Sequence, residues 1–247
     1  MSIETPEDLA GLKAAGAVVS ATLRACRRAV RPGITTAELD AVAARVFARH
    51  GARSGPVITY GFPGAICISV NDEVVHGIPG ARRLRDGDLV KIDVTAELNG
   101  YYADACISVP VGRPKPQSAR LAAASQAGLR KGIDAARAGA PRHAIGAAVE
   151  AEVEKRGFSV IRDLTGHGIG RRLHEQPDVK NWPDPADSEP LTDGLVITIE
   201  PMVSAGTSEV AELDDGWTVV TLDGARSAHF EHTIVVRADQ PPLVLTA

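Results

Sequence analysis

Cysteine is scarce. The 247-residue chain has three, Cys26, Cys67 and Cys106, which are odd in number, far apart and without a Cys-x-x-Cys pair. Neither a disulfide scaffold nor a zinc ribbon fits that pattern. Aromatic residues supply only 4%. No apolar run approaches the ~18 residues of a membrane span. The acidic stretch from Met1 to Ala10 lacks the apolar centre of a signal peptide, so the cytoplasm is the expected compartment. Neither sign of charge dominates: 27 basic residues stand against 31 acidic ones, net −4. The densest basic run, Arg82-Arg83-Leu84-Arg85, reads as a solvated loop. Nucleic acid and membrane are therefore not expected partners. Gly-x-x-x-x-Gly-Lys-Ser/Thr and Gly-x-Gly-x-x-Gly are absent, which counts against a nucleotide cofactor. Gly-x-Ser-x-Gly is absent too, which counts against a serine-hydrolase elbow.

What is present is a globular composition, 44% hydrophobic and 23% charged, enough to bury a core. Thr5-Pro6-Glu7-Asp8 reads as a capped helix start with proline at the first position. That helix runs to about Val30, where Arg31-Pro32-Gly33 stops it. Thr35 to Glu38 repeats the capping pattern before a second helix that ends near Gly51. Strand patterning follows between Val57 and Val111, at Ala65 to Val70, Leu89 to Glu97 and Tyr101 to Val109. Helical spacing returns from Gln117 to about Ala138 and from His143 to Arg156. Strand-like runs close the chain at Leu195 to Glu200, Trp217 to Leu222 and Ala228 to Arg237.

The order of two helices and then strands occurs twice. Gly33, Leu39 and Gly51 match Gly139, Ile145 and Gly157 at an offset of 106, while Asp86-Gly87 and Ile92-Asp93 match Asp193-Gly194 and Ile199-Glu200 at 107. An offset that long indicates a duplication, not a solenoid. We expect one α+β domain over 1–247, with halves of roughly 1–115 and 116–247. In it a pseudo-twofold antiparallel core would bring a strand-borne carboxylate from each half to the shared axis.

Asn99-Gly100 favours a two-residue type I′ hairpin turn. Its register places Asp104 opposite Thr95 and Asp93 opposite Cys106, all on one face. Asp93 and Asp104 are then diagonal neighbours, about 7–8 Å apart at the backbone. Two carboxylates aimed into an apolar strand pair repel each other and lose hydration, so a cation is expected between them. Glu200 ends one β-branched run and Glu231 lies in another. His167 sits in Gly166-His167-Gly168-Ile169-Gly170, His174 follows in Leu-His-Glu-Gln-Pro, and His76 stands in Val-Val-His-Gly-Ile-Pro. Four carboxylates with one imidazole form a hard, oxygen-rich donor set suited to Mn, Fe or Co, with Zn also admissible. Two ions sharing carboxylates would account for so many acids.

At these residues the chain resembles the type I methionine aminopeptidases, of pita-bread fold. The landmarks are Tyr60-Gly61-Phe62-Pro63, Cys67 to Asn71, His76-Gly77-Ile78-Pro79, Asp93 with Asp104, Gly166 to Gly170, His174-Glu175, Ile199 to Met202 and Glu231-His232-Thr233. The resemblance implies Asp93, Asp104, His167, Glu200 and Glu231 as ligands of two divalent ions (Co, Mn, Fe or Zn), with Asp104 and Glu231 bridging. It implies His76 and His174 as substrate-contacting catalytic histidines and Glu200 as proton shuttle. Phe62, Cys67, Leu173 and Trp217 would line a pocket for the methionine side chain. The implied reaction removes methionine from nascent polypeptide N-termini when the second residue is small, by a monomer in transient association with the ribosome. A proline-directed peptidase of the same fold and a non-catalytic peptide-binding module are the rivals. Some positions depart from the pattern: Thr59 replaces an aromatic, Leu173 replaces Phe, Ala105-Cys106 replaces Thr-Ser after the second Asp, and His229 stands where Gln is common, on Glu231's face of the strand.

Overall fold

Both capping boxes form. In the computed structural model, which describes residues 1–247, α1 (Pro6–Ala29) starts where Thr5 Oγ1 accepts from the Asp8 N–H and Asp8 Oδ2 accepts from the Thr5 N–H. α2 (Thr36–His50) repeats the exchange with Thr35 and Glu38 and ends at left-handed Gly51. By length and composition α1 could span a membrane, its 18-residue window having mean hydropathy 1.2. This corrects the expectation that no such run exists. Half of that window is buried, with Leu12, Ala15, Val19 and Leu23 packed in the core, so its apolarity is a core face.

A short helix, α3 (Gly55–Tyr60), lies where strand patterning begins. Val57, Ile58 and Thr59 are β-branched, but the Ser54 hydroxyl caps the Val57 N–H, Pro56 sits in the first turn and Gly61 closes the end at φ 72°. Local capping outweighs strand propensity here. α4 (Pro116–Ala135) and α5 (His143–Lys155) pair in the second half as α1 and α2 do in the first.

The strands that carry the site, numbered in chain order, are β1 (Cys67–Val70), β2 (Leu89–Leu98), β3 (Tyr101–Pro110), β4 (Gly166–Gly168), β5 (Glu175–Val179), β6 (Val196–Ile199), β7 (Met202–Ser204), β8 (Ser227–His229) and β9 (His232–Val235). β2 and β3 form the expected hairpin about Asn99 (φ 53°) and Gly100 (φ 82°), with Asp93 opposite Cys106 and Thr95 opposite Asp104. β1 pairs along the other edge of β2 and sets Cys67 opposite Asp93. In the second half β9 pairs with β6, β6 with β4 and β4 with β5.

The run expected from Leu195 to Glu200 forms as β6, and the chain resumes past Pro201 as β7; the single strand expected from Ala228 to Arg237 is broken instead, stopping at His229 and resuming as β9. The pairing register is the same on both sides of the break, His232 opposite Ile199 and Met202 opposite His229. Glu200-Pro201 thus faces Phe230-Glu231. Pro201 has no N–H to give the ladder, so the break falls there.

β3 also runs along β8 and β9, and this seam joins the halves. The Thr233 hydroxyl accepts from the Asp104 N–H at 2.9 Å and donates to the Asp104 carbonyl at 2.7 Å. Glu231 N–H donates to the Cys106 carbonyl at 3.0 Å. The Ser108 hydroxyl accepts from the His229 N–H at 2.9 Å and donates to the His229 carbonyl at 2.8 Å. Apolar packing follows the same division: 27 buried residues centre on α1, α2 and the hairpin, and 17 on α4, α5, β6 and β9. Gly33 and Gly139 share a φ near +87° (89° and 85°), as Gly87 and Gly194 share one near +81° (83° and 79°). The repeated residues therefore turn the chain alike in both halves.

Lys91 adds a second tie across the halves. Its side chain is 1% exposed, and its ammonium donates to the Asn71 carbonyl (2.7 Å), the Ser227 carbonyl (3.3 Å) and the Ser227 hydroxyl (3.2 Å). Lys91→Met keeps the length and apolar stem but removes these bonds, and should lower stability by about 1–3 kcal/mol. Urea denaturation of both proteins measures it, and an unchanged midpoint would show that Lys91 ties nothing together.

Candidate metal centre

β2 and β3 bring Asp93 and Asp104 to one side of the seam, and the two strand breaks bring Glu200 and Glu231 to the other. Three of the acids are buried, Asp104 at 6% exposed, Glu200 at 9% and Glu231 at 2%, and Asp93 is half-buried with its Oδ1 closed to solvent. Two threonines hold one oxygen each. Thr95 Oγ1 donates to Asp104 Oδ2 at 2.8 Å, and Thr198 Oγ1 donates to Glu200 Oε1 at 2.7 Å. Asp93 Oδ1, Asp104 Oδ1 and Glu231 Oε1 have no partner at all.

Burial is the main force on their protonation. Desolvation pushes Asp93 and Glu231 well above the usual carboxylate range, with the neighbouring Asp104 charge adding to both. Desolvation raises Asp104 to about 6 against the Thr95 hydrogen bond, and Glu200 to about 8. Anions so placed are stable only with positive charge among them.

His167 completes the cluster from β4. Its N–H donates to Thr198 Oγ1 (2.9 Å) and its Nδ1–H donates to the Gly168 carbonyl (2.8 Å), which leaves the Nε2 lone pair 3.6 Å from Glu200 Oε1. Burial, then His174, pushes this imidazole down to about 3, so it is neutral and free to ligate. Asp104, His167 and Glu231 offer donor atoms within 4.8 Å of one another. Glu200, His229 and Glu231 do the same. Orphaned carboxylate oxygens converging with neutral imidazoles fit a divalent cation. His229 lies outside the ligand set implied by resemblance, although its position on Glu231's face was legible.

The cluster meets a cleft of about 860 Å³ through His167 and Glu200, and His76, His174 and Met202 line the same cleft. His174 is placed by its loop: Glu175 Oε1 accepts from the Arg171 and Arg172 N–H groups, and the Arg171 guanidinium bonds Asp8 Oδ1 on α1 while covering the Tyr101 ring at 3.8 Å. Its ring meets His167 at 4.2 Å between centroids. Desolvation in the cleft and the neighbouring His76 lower its basicity. Tyr60 is the residue that spacing missed. Its hydroxyl lies 2.5 Å from His174 Nδ1, and no short-range signal joins positions 114 residues apart. His76 sits in a left-handed turn at φ 57°. Phe62, Cys67 and Leu173 are buried and, with Trp217, do not line the cleft; Phe62 meets Trp217 edge to face at 5.1 Å.

Residues 10–238 match the model of metallopeptidase family M24. The chain belongs to that family. It is 42% identical to methionine aminopeptidase 1 of Bacillus subtilis over 233 residues, 94% of each chain. It is 43% identical to the Treponema pallidum methionine aminopeptidase over 238 residues, 96% of this chain and 93% of that one. The crystal structure of the Rickettsia prowazekii methionine aminopeptidase superposes with a TM-score of 0.96 at 38% identity, covering both chains fully. The M24 pita-bread fold thus accounts for the paired helices and antiparallel sheets.

The buried charges give stability a pH dependence. An unfolded carboxyl titrates near 4, so the folded chain holds extra protons between there and the raised native values. That contribution is present below about pH 4 and is lost as pH rises through about 6 for Asp104 and about 8 for Glu200. His167 and His229, both pushed down to about 3 by burial, act in the opposite sense, but only below the unfolded value near 6.5. Lys91, pushed down to about 7 by burial, opposes the trend above that pH, one group against three carboxyls. Chelator-treated protein should therefore lose thermal stability between pH 6.5 and 8, and manganese should flatten the decline. Melting temperatures with and without the ion test this, and a metal-free protein that gained stability over that range would refute it.

Proposed function

We propose that this chain is a cytoplasmic methionyl aminopeptidase, removing the N-terminal methionine of newly made proteins whose second residue is small. One observation carries the reading: four desolvated carboxylates converge with a neutral imidazole, and two of these residues, His167 and Glu200, open onto a cleft in a chain over 40% identical to methionine aminopeptidases.

Asp93, Asp104, His167, Glu200 and Glu231 would hold two divalent ions, with Asp104 and Glu231 shared between them. Such ions supply Lewis acidity at the scissile carbonyl and make water acidic enough to serve as nucleophile near neutral pH. Glu200, with Oε1 held by Thr198, would carry the water's proton to the departing amide nitrogen. His174 donates from Nε2 to the carbonyl oxygen as negative charge develops there. Tyr60 holds it in that form: a phenol is the stronger acid and an imidazole nitrogen the stronger base, so the hydroxyl donates to Nδ1 and leaves the proton on Nε2. His76, projecting from its turn, contacts the backbone of the second residue. The methionine side chain would be received by Phe62, Cys67, Leu173 and Trp217, which do not line the open cleft but lie beside it: Cys67 is opposite Asp93, and Leu173 directly precedes His174.

The decisive assay is a peptide panel. Met-Ala and Met-Gly peptides should be cleaved well, Met-Lys and Met-Phe poorly, and Ala-Pro not at all, since a bulky second residue clashes where the leaving chain exits. Equal rates for Met-Ala and Met-Phe, or preferential cleavage of Ala-Pro, would sink the assignment.

Histidine variants separate metal binding from turnover. His76→Ala and His174→Ala should retain both ions and lose on the order of 10²-fold in kcat, the scale of a removed transition-state donor. His167→Ala should weaken metal uptake itself. Metal analysis beside steady-state kinetics decides it: a His174→Ala protein that lost metal would move that residue into the ligand set.

A further inference from the structure

His229 ends β8 with its main chain fixed on both sides by the Ser108 hydroxyl, at 2.9 Å and 2.8 Å. Its ring is 2% exposed, yet neither Nδ1 nor Nε2 has a hydrogen-bond partner. An unpartnered polar ring in that setting costs stability unless something binds it. Nε2 lies 3.8 Å from Glu231 Oε2 and 3.9 Å from Glu200 Oε2. Those separations are too long for hydrogen bonds. They suit donors that each stand about 2.0–2.2 Å from a common ion, which leaves the donors roughly 3–4 Å apart. His167 Nε2 makes the same kind of approach to Glu200 Oε1, at 3.6 Å.

We infer that His229 is itself a metal ligand, grouped with Glu200 and Glu231, so that this centre has two imidazoles, His167 and His229. The inference rests on the two-ion reading above and adds a sixth protein ligand to it. The two ring nitrogens of His229, both without a protein partner, leave a lone pair for the ion. A second imidazole in place of a water shifts the donor set away from all-oxygen chemistry. It favours Zn, Co or Ni over Mn at that position. The two imidazoles are not equivalent. His167 is oriented by its Nδ1–H bond to Gly168, whereas His229 Nδ1 has no protein acceptor. Ligands without such support bind more weakly, so the ion beside His229 should leave first during chelation.

The test uses the full chain loaded with zinc, compared with His229→Gln and His229→Ala. Both variants keep the main-chain bonds to Ser108, and their melting temperatures in chelator report that the fold is retained. X-ray absorption at the zinc edge counts imidazoles from their outer-shell scattering, independently of activity. The wild type should hold two ions and an average of one imidazole per ion, and both variants half that average when loaded with two ions. Calorimetry should show zinc affinity at the weaker step falling about 10–100-fold in the variants, with manganese affected less. Two ions with half an imidazole per ion in the wild type, unchanged in the variants, would overturn the role of His229 and leave the two-ion reading standing. A wild type taking up a single ion would overturn both.

Discussion

Four carboxylates withdrawn from water at one point are the constraint around which this molecule is arranged. Each lies in or beside an apolar strand, and desolvation opposes the charge of each. Hydrogen bonding relieves only part of the strain. Thr95 and Thr198 each satisfy one oxygen, while Asp93 Oδ1, Asp104 Oδ1 and Glu231 Oε1 remain without a donor. A side chain could escape such a position by rotating outward. None does, because buried residues of two cores close the space on either side. Packing holds the anions, and the anions demand a cation. Metal affinity here is stored folding energy.

The seam between the halves sets where the acids meet. Thr233 and Ser108 stand in for main-chain partners at its two ends, each hydroxyl both accepting and donating, and one direct bond joins Glu231 to Cys106 between them. A hydroxyl inserted into a ladder separates the backbones more than a direct bond does. Asp93 and Asp104 stand on one side of this seam and Glu200 and Glu231 on the other. Duplication explains why acids arrive from both sides: corresponding glycines turn the chain alike in each half, and the corresponding strands deliver Asp93 and Glu200.

Local chemistry was legible in the sequence wherever a short-range rule governs it. The capping boxes at Thr5 and Thr35, the Asn99-Gly100 turn and the diagonal of Asp93 and Asp104 follow from residue type and spacing, and all appear as read. The end of a strand at Glu200 was legible, but the break at Phe230-Glu231 did not show, because the flanking residues pattern as one unbroken strand. Only the pairing of one run with the other reveals that the two interruptions face each other. α3 was missed for a related reason, with Val57, Ile58 and Thr59 masking the Ser54 cap. The contact of Tyr60 with His174 depends on tertiary structure alone.

The same division separates the rigid part of the site from the part that meets substrate. The acids and His167 sit on or beside paired strands whose main-chain bonds fix them within a small radius. His76, His174 and Tyr60 instead project from turns and helix ends at the mouth of the cleft. What steadies them is specific and sparse: the Glu175 carboxylate bonding two N–H groups, Arg171 reaching α1, and one phenol on one imidazole. Hydrolysis at a chain's first residue asks for that combination. The charged floor must not move when a neutral peptide displaces water, whereas the rim must admit and release chains of varied sequence. A loop held by a few polar bonds can yield by a fraction of an ångström without disturbing the floor, because no residue of the seam belongs to it.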